Sequence, residues 1–148
     1  MPSTPAGYRE PWAGIATTEG SFLGAAFSTA MFSIAFLVVA GLLKMLASQI
    51  EAGQSRRNPT FGIRSKATMA SDEAWIAAHE ASVNILKGTA VLLLSCTAVL
   101  WVLFAILPKD DDSVPVIFFS GLGFTAVLVT FLMRMYFKAD AVAASIHG

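Results

Sequence analysis

The chain has 148 residues, of which 55% are apolar and only 14% charged, with a mean hydropathy of +0.66. That is the composition of a membrane protein rather than of a water-soluble domain. Ten basic residues balance ten acidic ones, so bulk charge leaves no footprint for a nucleic-acid partner, and a single cysteine excludes a disulfide framework, a redox pair and a thiolate cluster.

In chain order, residues 1–20 come first, as an external N-terminal segment. Pro2, Pro5, Gly7, Pro11 and Gly14 predict an extended stretch as far as Thr18, with Tyr8 and Trp12 resting at a membrane interface. The segment lacks the basic start of a removable leader and carries Arg9, Glu10 and Glu19, so the span that follows is expected to stay in the mature protein. Residues 21–43 form a first span without a charge, and residues 44–87 are a polar loop with a helix starting at about residue 72. The second span is 88–107. After a turn holding Asp110, Asp111 and Asp112 comes a third span, 113–133, and then a tail, 134–148. The acidic run reads as a solvated connection, since calcium takes six or more oxygen ligands.

Each span matches the roughly 20 residues a helix needs to cross a hydrocarbon core of about 30 Å. Barrel strands would be about ten residues long and would alternate polar with apolar, whereas these runs are apolar all round. The predicted fold is therefore all-α: one integral membrane domain with three transmembrane helices and a cytoplasmic loop and helix between the first and second. Eight of the ten basic residues lie in the 44–87 loop or the tail. This asymmetry predicts a plasma-membrane protein with its N-terminus outside and its C-terminus in the cytoplasm.

The spans hold no Asp, Glu, Lys, Arg or His, which argues against an ion or proton path and against haem. The loop shows no nucleophile with its base and no paired carboxylates, so an enzyme is not expected and no cofactor or metal is predicted. Small residues at Gly24, Ala25, Ser28, Thr29 and Ser33 in the first span, and at Ser120, Gly121 and Gly123 in the third, predict close helix contact. Cys96, between Ser95 and Thr97, reads as a packing position.

The loop carries the distinctive residues. Asn58-Pro59 is a turn signal, Gly62 relaxes the backbone before Arg64, and Ser71 can cap a helix whose first turn holds Asp72 and Glu73. On a helical wheel Trp75, Ala78, His79, Ser82 and Leu86 share one face, while Glu73, Glu80, Asn84 and Lys87 share the opposite one. Trp75 and His79, four residues apart, are neighbours. If this helix stands upright, Trp75 lies about 20 Å before Gly88, clear of the lipid. Packing it on the preceding loop would bring Gly62, Arg64 and Thr68 against the Trp75 and His79 face.

Asn58, Gly62, Ile63, Arg64, Thr68, Ser71, Trp75 and His79, followed directly by a hydrophobic helix, resemble the signature of the SdpI family. These are bacterial membrane proteins named for an immunity protein against a secreted peptide toxin, and this chain resembles the family's short three-span members. The resemblance implies a non-enzymatic protein that binds a membrane-active toxin or a signalling partner through those residues. Taken alone, the residues also read as structural: Arg64 at a lipid headgroup, His79 hydrogen-bonded, Trp75 packed or anchored at the interface. A second reading is an accessory subunit of a larger membrane assembly such as a respiratory complex. Both readings predict contact with membrane lipid and leave room for a protein partner or a homo-oligomer.

Overall fold

The computed structural model describes residues 13–146 except 55, 58–61, 109 and 111, with backbone alone for residues 13–18. Asn58, the Asn58-Pro59 turn, Tyr8, Trp12 and Asp111 lie outside the described residues. All the described elements are helices: α1, Ala13–Glu51; α2, Asp72–Ile106; and α3, Ser113–Ala144. α1 and α3 exceed the spans expected for them, and α2 joins the helix expected from about residue 72 to the second span. Helix begins at Ala13, so the segment expected to be extended as far as Thr18 is helical over its last residues. α3 likewise carries the third span on through Arg134 and Lys138 to Ala144.

The helix ends follow from local chemistry. Gly53 adopts a left-handed φ of +68°. Its amide donates to the Ile50 carbonyl and the Gln54 amide to the Gln49 carbonyl, both at 3.0 Å. These two bonds satisfy carbonyls that the end of α1 leaves open. Ser71 caps α2, its Oγ accepting from the Ala74 amide at 3.1 Å. Pro108 forces the extended conformation seen at Leu107, which ends α2. In the short turn before α3, the Asp110 carboxylate accepts from the Ser113 amide at 3.1 Å.

The three helices form one antiparallel bundle, with α1 and α3 each packed most extensively on α2. Buried positions recur every three or four residues: Phe32, Phe36, Ala40, Leu43, Ala47 and Ile50 on α1, and Leu86, Ala90, Leu93, Cys96 and Leu100 on α2. This is the spacing of side chains that interdigitate across a helix seam. The small residues of α1 behave as expected, with Ala25, Ser28, Thr29 and Ser33 all buried. On α3, Gly121 is buried beneath the Phe32 ring. Gly123 differs from expectation: it is exposed, and a Cβ there would meet nothing within 4 Å. Two residues turn a helix by about 200°, so the two glycines cannot share a contact face.

Outside the seam the bundle is greasy. Leu23, Phe27, Val91, Val102, Phe119 and Phe137 are each more than half exposed, the reverse of a soluble bundle and the surface a lipid environment requires. The hydroxyls within the spans mostly turn back on their own helix: Thr29, Thr97, Thr125 and Thr130 each donate to the carbonyl four residues earlier. Their polarity is thus neutralised locally. Ser33 Oγ is an exception, buried with no partner among the described residues. The chain is a multi-pass membrane protein whose outer surface contacts lipid.

Candidate functional site

The connection between α1 and α2 folds back onto the first two turns of α2. Trp75, Ala78, His79, Ser82 and Leu86 are buried and Glu73, Glu80, Asn84 and Lys87 are exposed, so the helix presents the two faces read from its sequence. A single helix runs from Asp72 into the second span without a bend being needed to hide Trp75. The ring is 2% exposed because the connection covers it.

Gly62 makes the approach. Its φ is +121°, and a Cβ at this position would stand 2.7 Å from Trp75 Cη2 and 2.8 Å from His79 Nε2. The backbone thus passes directly against both rings, which stack on each other with centroids 4.1 Å apart. Only glycine allows this conformation and this proximity together. The next amide, Ile63 N–H, donates to His79 Nε2 at 3.0 Å. With Nε2 accepting, Nδ1 carries the proton and donates to the Trp75 carbonyl at 2.8 Å. Both imidazole nitrogens are therefore committed to the backbone, and neither has a lone pair left for a metal or a transferred proton.

Thr68 holds the other side of the strap. It is fully buried, its hydroxyl donates to the Ile63 carbonyl at 2.9 Å and it accepts from the Ser65 amide at 2.8 Å. Ser65 Oγ in turn accepts from the Thr68 amide at 3.1 Å. Ile63 therefore has its N–H fixed by His79 and its C=O fixed by Thr68, while its side chain, 5% exposed, lines an open apolar groove of about 310 Å³ between α1 and α3. Trp75 Nε1 is buried without a hydrogen-bond partner among the described residues, a local cost that the stack and the packing must offset.

Of the residues expected to act together, Gly62, Ile63, Thr68, Trp75 and His79 do form one unit, and Ser71 caps the helix that carries the two rings. Arg64 does not join it. Its side chain is exposed and makes no ion pair among the described residues. Lys66 and Arg56 are exposed too, and residues 52–71 contain no acidic residue. The scaffold is thus buried and its outer surface basic.

The sequence model of the SdpI/YfhL protein family matches residues 54–134, which take in this whole element and both following spans. The chain belongs to the SdpI/YfhL protein family. No curated protein and no solved structure matches it.

The SdpI/YfhL match starts just after α1 ends, at the residues that build the strap. Two contributors were not picked out from the sequence. Arg57 ties the strap to the helix start, with Nε 3.0 Å from Asp72 Oδ1 and a guanidinium nitrogen donating to the Met69 carbonyl at 3.1 Å. Ser65 supplies two bonds of the turn. An Arg followed 15 positions later by an Asp at a helix start offers no local signal of pairing, because the contact exists only once the strap has folded back. Among the described residues, no group of three His, Cys, Asp or Glu side chains is placed to hold a metal.

Burial pushes the His79 pKa below its ordinary value, partly offset by the hydrogen bond to the Trp75 carbonyl. His79 lies beyond Lys87, on the polar side of the second span, so this titration is accessible to solvent conditions. The unfolded chain binds the proton more readily than the folded one, so stability is complete above about pH 6.5 and declines as pH falls below it. We expect the melting temperature of the purified protein to be flat from pH 8 to 7 and to drop between pH 6.5 and 5. The His79→Gln variant, less stable throughout, should lose that slope; an unchanged slope would mean that another group titrates.

Proposed function

We propose that this SdpI/YfhL family protein is a non-enzymatic binding protein that engages a membrane-active peptide toxin or a signalling partner through the basic outer surface of the 56–79 element. The observation that supports this reading is the division of labour in that element. Trp75, His79, Thr68 and Ile63 are consumed by internal contacts, while Arg64 and Lys66 stand exposed with no acidic neighbour in the connection. A rigid support under exposed cations suits recognition, because a backbone ordered in advance loses less entropy on binding. The planar guanidinium of Arg64 suits a carboxylate on the partner.

The distribution of basic residues supports a cytoplasmic position for this element and the C-terminus, with the N-terminus outside. Engagement would then occur at the inner face of the plasma membrane.

The test is protection. Deletion of the gene is expected to sensitise cells to a specific membrane-active peptide, and the wild-type protein to restore resistance. Arg64→Ala should lose most of that protection at unchanged protein level, and His79→Ala should lose it by releasing the strap. Full protection by both variants would remove the element from the functional site. Stoichiometric recovery of the tagged protein with a large complex from mild detergent would instead identify an accessory subunit.

A further inference from the structure

A groove of about 320 Å³ lies between α2 and α3, away from the strap, and is lined by Asn84, Ile85, Gly88, Phe131 and Arg134. Its chemistry is ordered along its length. α2 runs from the strap into the membrane and α3 runs back out, so Asn84 and Arg134 share the end nearer the strap while Gly88 and Phe131 share the deeper end. The uncharged runs of the two helices begin at Gly88 and end at Met133. The groove therefore straddles the level where hydrocarbon gives way to headgroups.

We propose that this groove is a binding site for an anionic phospholipid, with the lipid phosphate on Arg134 and Asn84 and an acyl chain along Gly88 and Phe131. Three observations point to that occupant. Arg134 and Lys138, one turn further along α3, are both exposed and make no ion pair among the described residues. No acidic residue lines the groove; Glu80, one turn before Asn84, lines a separate cleft with Arg56 and Arg57. A Cβ at Gly88 would meet nothing within 4 Å, so the deep end has room for a chain lying against the α2 backbone. A guanidinium can clasp a phosphate through two parallel N–H donors, and a second cation nearby favours a lipid that carries no ammonium of its own.

The experiment uses the full-length protein in nanodiscs of mixed phosphatidylglycerol and phosphatidylcholine, released into mild detergent, with the retained lipid identified by native mass spectrometry. Wild type is expected to retain phosphatidylglycerol over phosphatidylcholine by about fivefold, the ratio one favourable basic contact provides. Arg134→Gln should abolish the preference, Gly88→Leu should lower retention of both lipids, and Lys44→Gln, on another face, should change neither. If Gly88→Leu fails to fold, Arg134→Gln, at an exposed unpaired position, still decides. Equal retention of the two lipids by wild type, or an undiminished preference in Arg134→Gln, would overturn the proposal. So would displacement of the bound lipid by millimolar inorganic phosphate, which would mark a free-anion site instead.

Discussion

Gly62→Ala is expected to release the strap from α2 and to cost the protein about 3 kcal/mol or more. Two separate effects add at this position. A φ of +121° is one that residues with a Cβ rarely adopt, at a cost of about 1–3 kcal/mol. The new methyl would also stand 2.7 Å from Trp75 and 2.8 Å from His79, and overpacking of this kind costs about 1–3 kcal/mol more. Neither ring can withdraw freely, because His79 is held by Ile63 and by the Trp75 carbonyl. Gly53 provides the control. It also has a positive φ, +68°, but open space where its Cβ would be, so Gly53→Ala should cost only about 1 kcal/mol. Trypsin reads the difference directly, since Arg56, Arg57, Arg64 and Lys66 all lie on the strap or at its edge. Cleavage there should accelerate by tenfold or more in Gly62→Ala and little in Gly53→Ala. Equal cleavage of Gly62→Ala and wild type would show that the backbone does not run against the rings.

Gly121→Leu should separate α3 from α1. A Cβ on Gly121 would already stand 2.5 Å from Phe32 Cε2 and 2.6 Å from Cγ, and Phe32 is itself held between Phe36 and Phe118, with ring centroids 6.0 and 5.9 Å away. Such a ring cannot simply rotate out of the way. Loss of about 3 kcal/mol is expected from the overpacking, or a bundle that no longer closes. Removing the obstacle should repair the damage: Phe32→Ala is destabilising alone, yet combined with Gly121→Leu it should recover a large part of the melting temperature, the signature of two residues in contact. Gly123→Leu should change stability by no more than about 0.5 kcal/mol, since that position faces outward. Equal damage at both glycines would indicate a general intolerance of this span rather than a specific fit against Phe32.

The loop residues illustrate how far local chemistry can be read. Ser71 before Asp72 and Glu73 marked the α2 start, and the wheel separated the Trp75 and His79 face from the Glu80 and Lys87 face; both signals depend only on neighbours within two helical turns. Arg64 is the counterexample. It sits beside Ile63 in sequence, but the turn built by Ser65 and Thr68 sends Ile63 inward and leaves Arg64 in solvent. Which of two adjacent residues is buried depended on where the strap meets α1 and α3, and no short window contains that.

The sequence by itself determined that this chain lives in a membrane, that it crosses three times as helices, and that its unusual residues are concentrated between the first two crossings. Length, apolar content and missing charges are sufficient for that, because a bilayer demands about 20 apolar residues with every backbone group bonded internally. Only the tertiary structure decided that Gly62 lies against the stacked Trp75 and His79 rings, that His79 accepts from the Ile63 amide, and that Gly121 rather than Gly123 seats Phe32. Those are contacts between residues distant along the chain. Their geometry is set by how three helices and a strap exclude one another's volume.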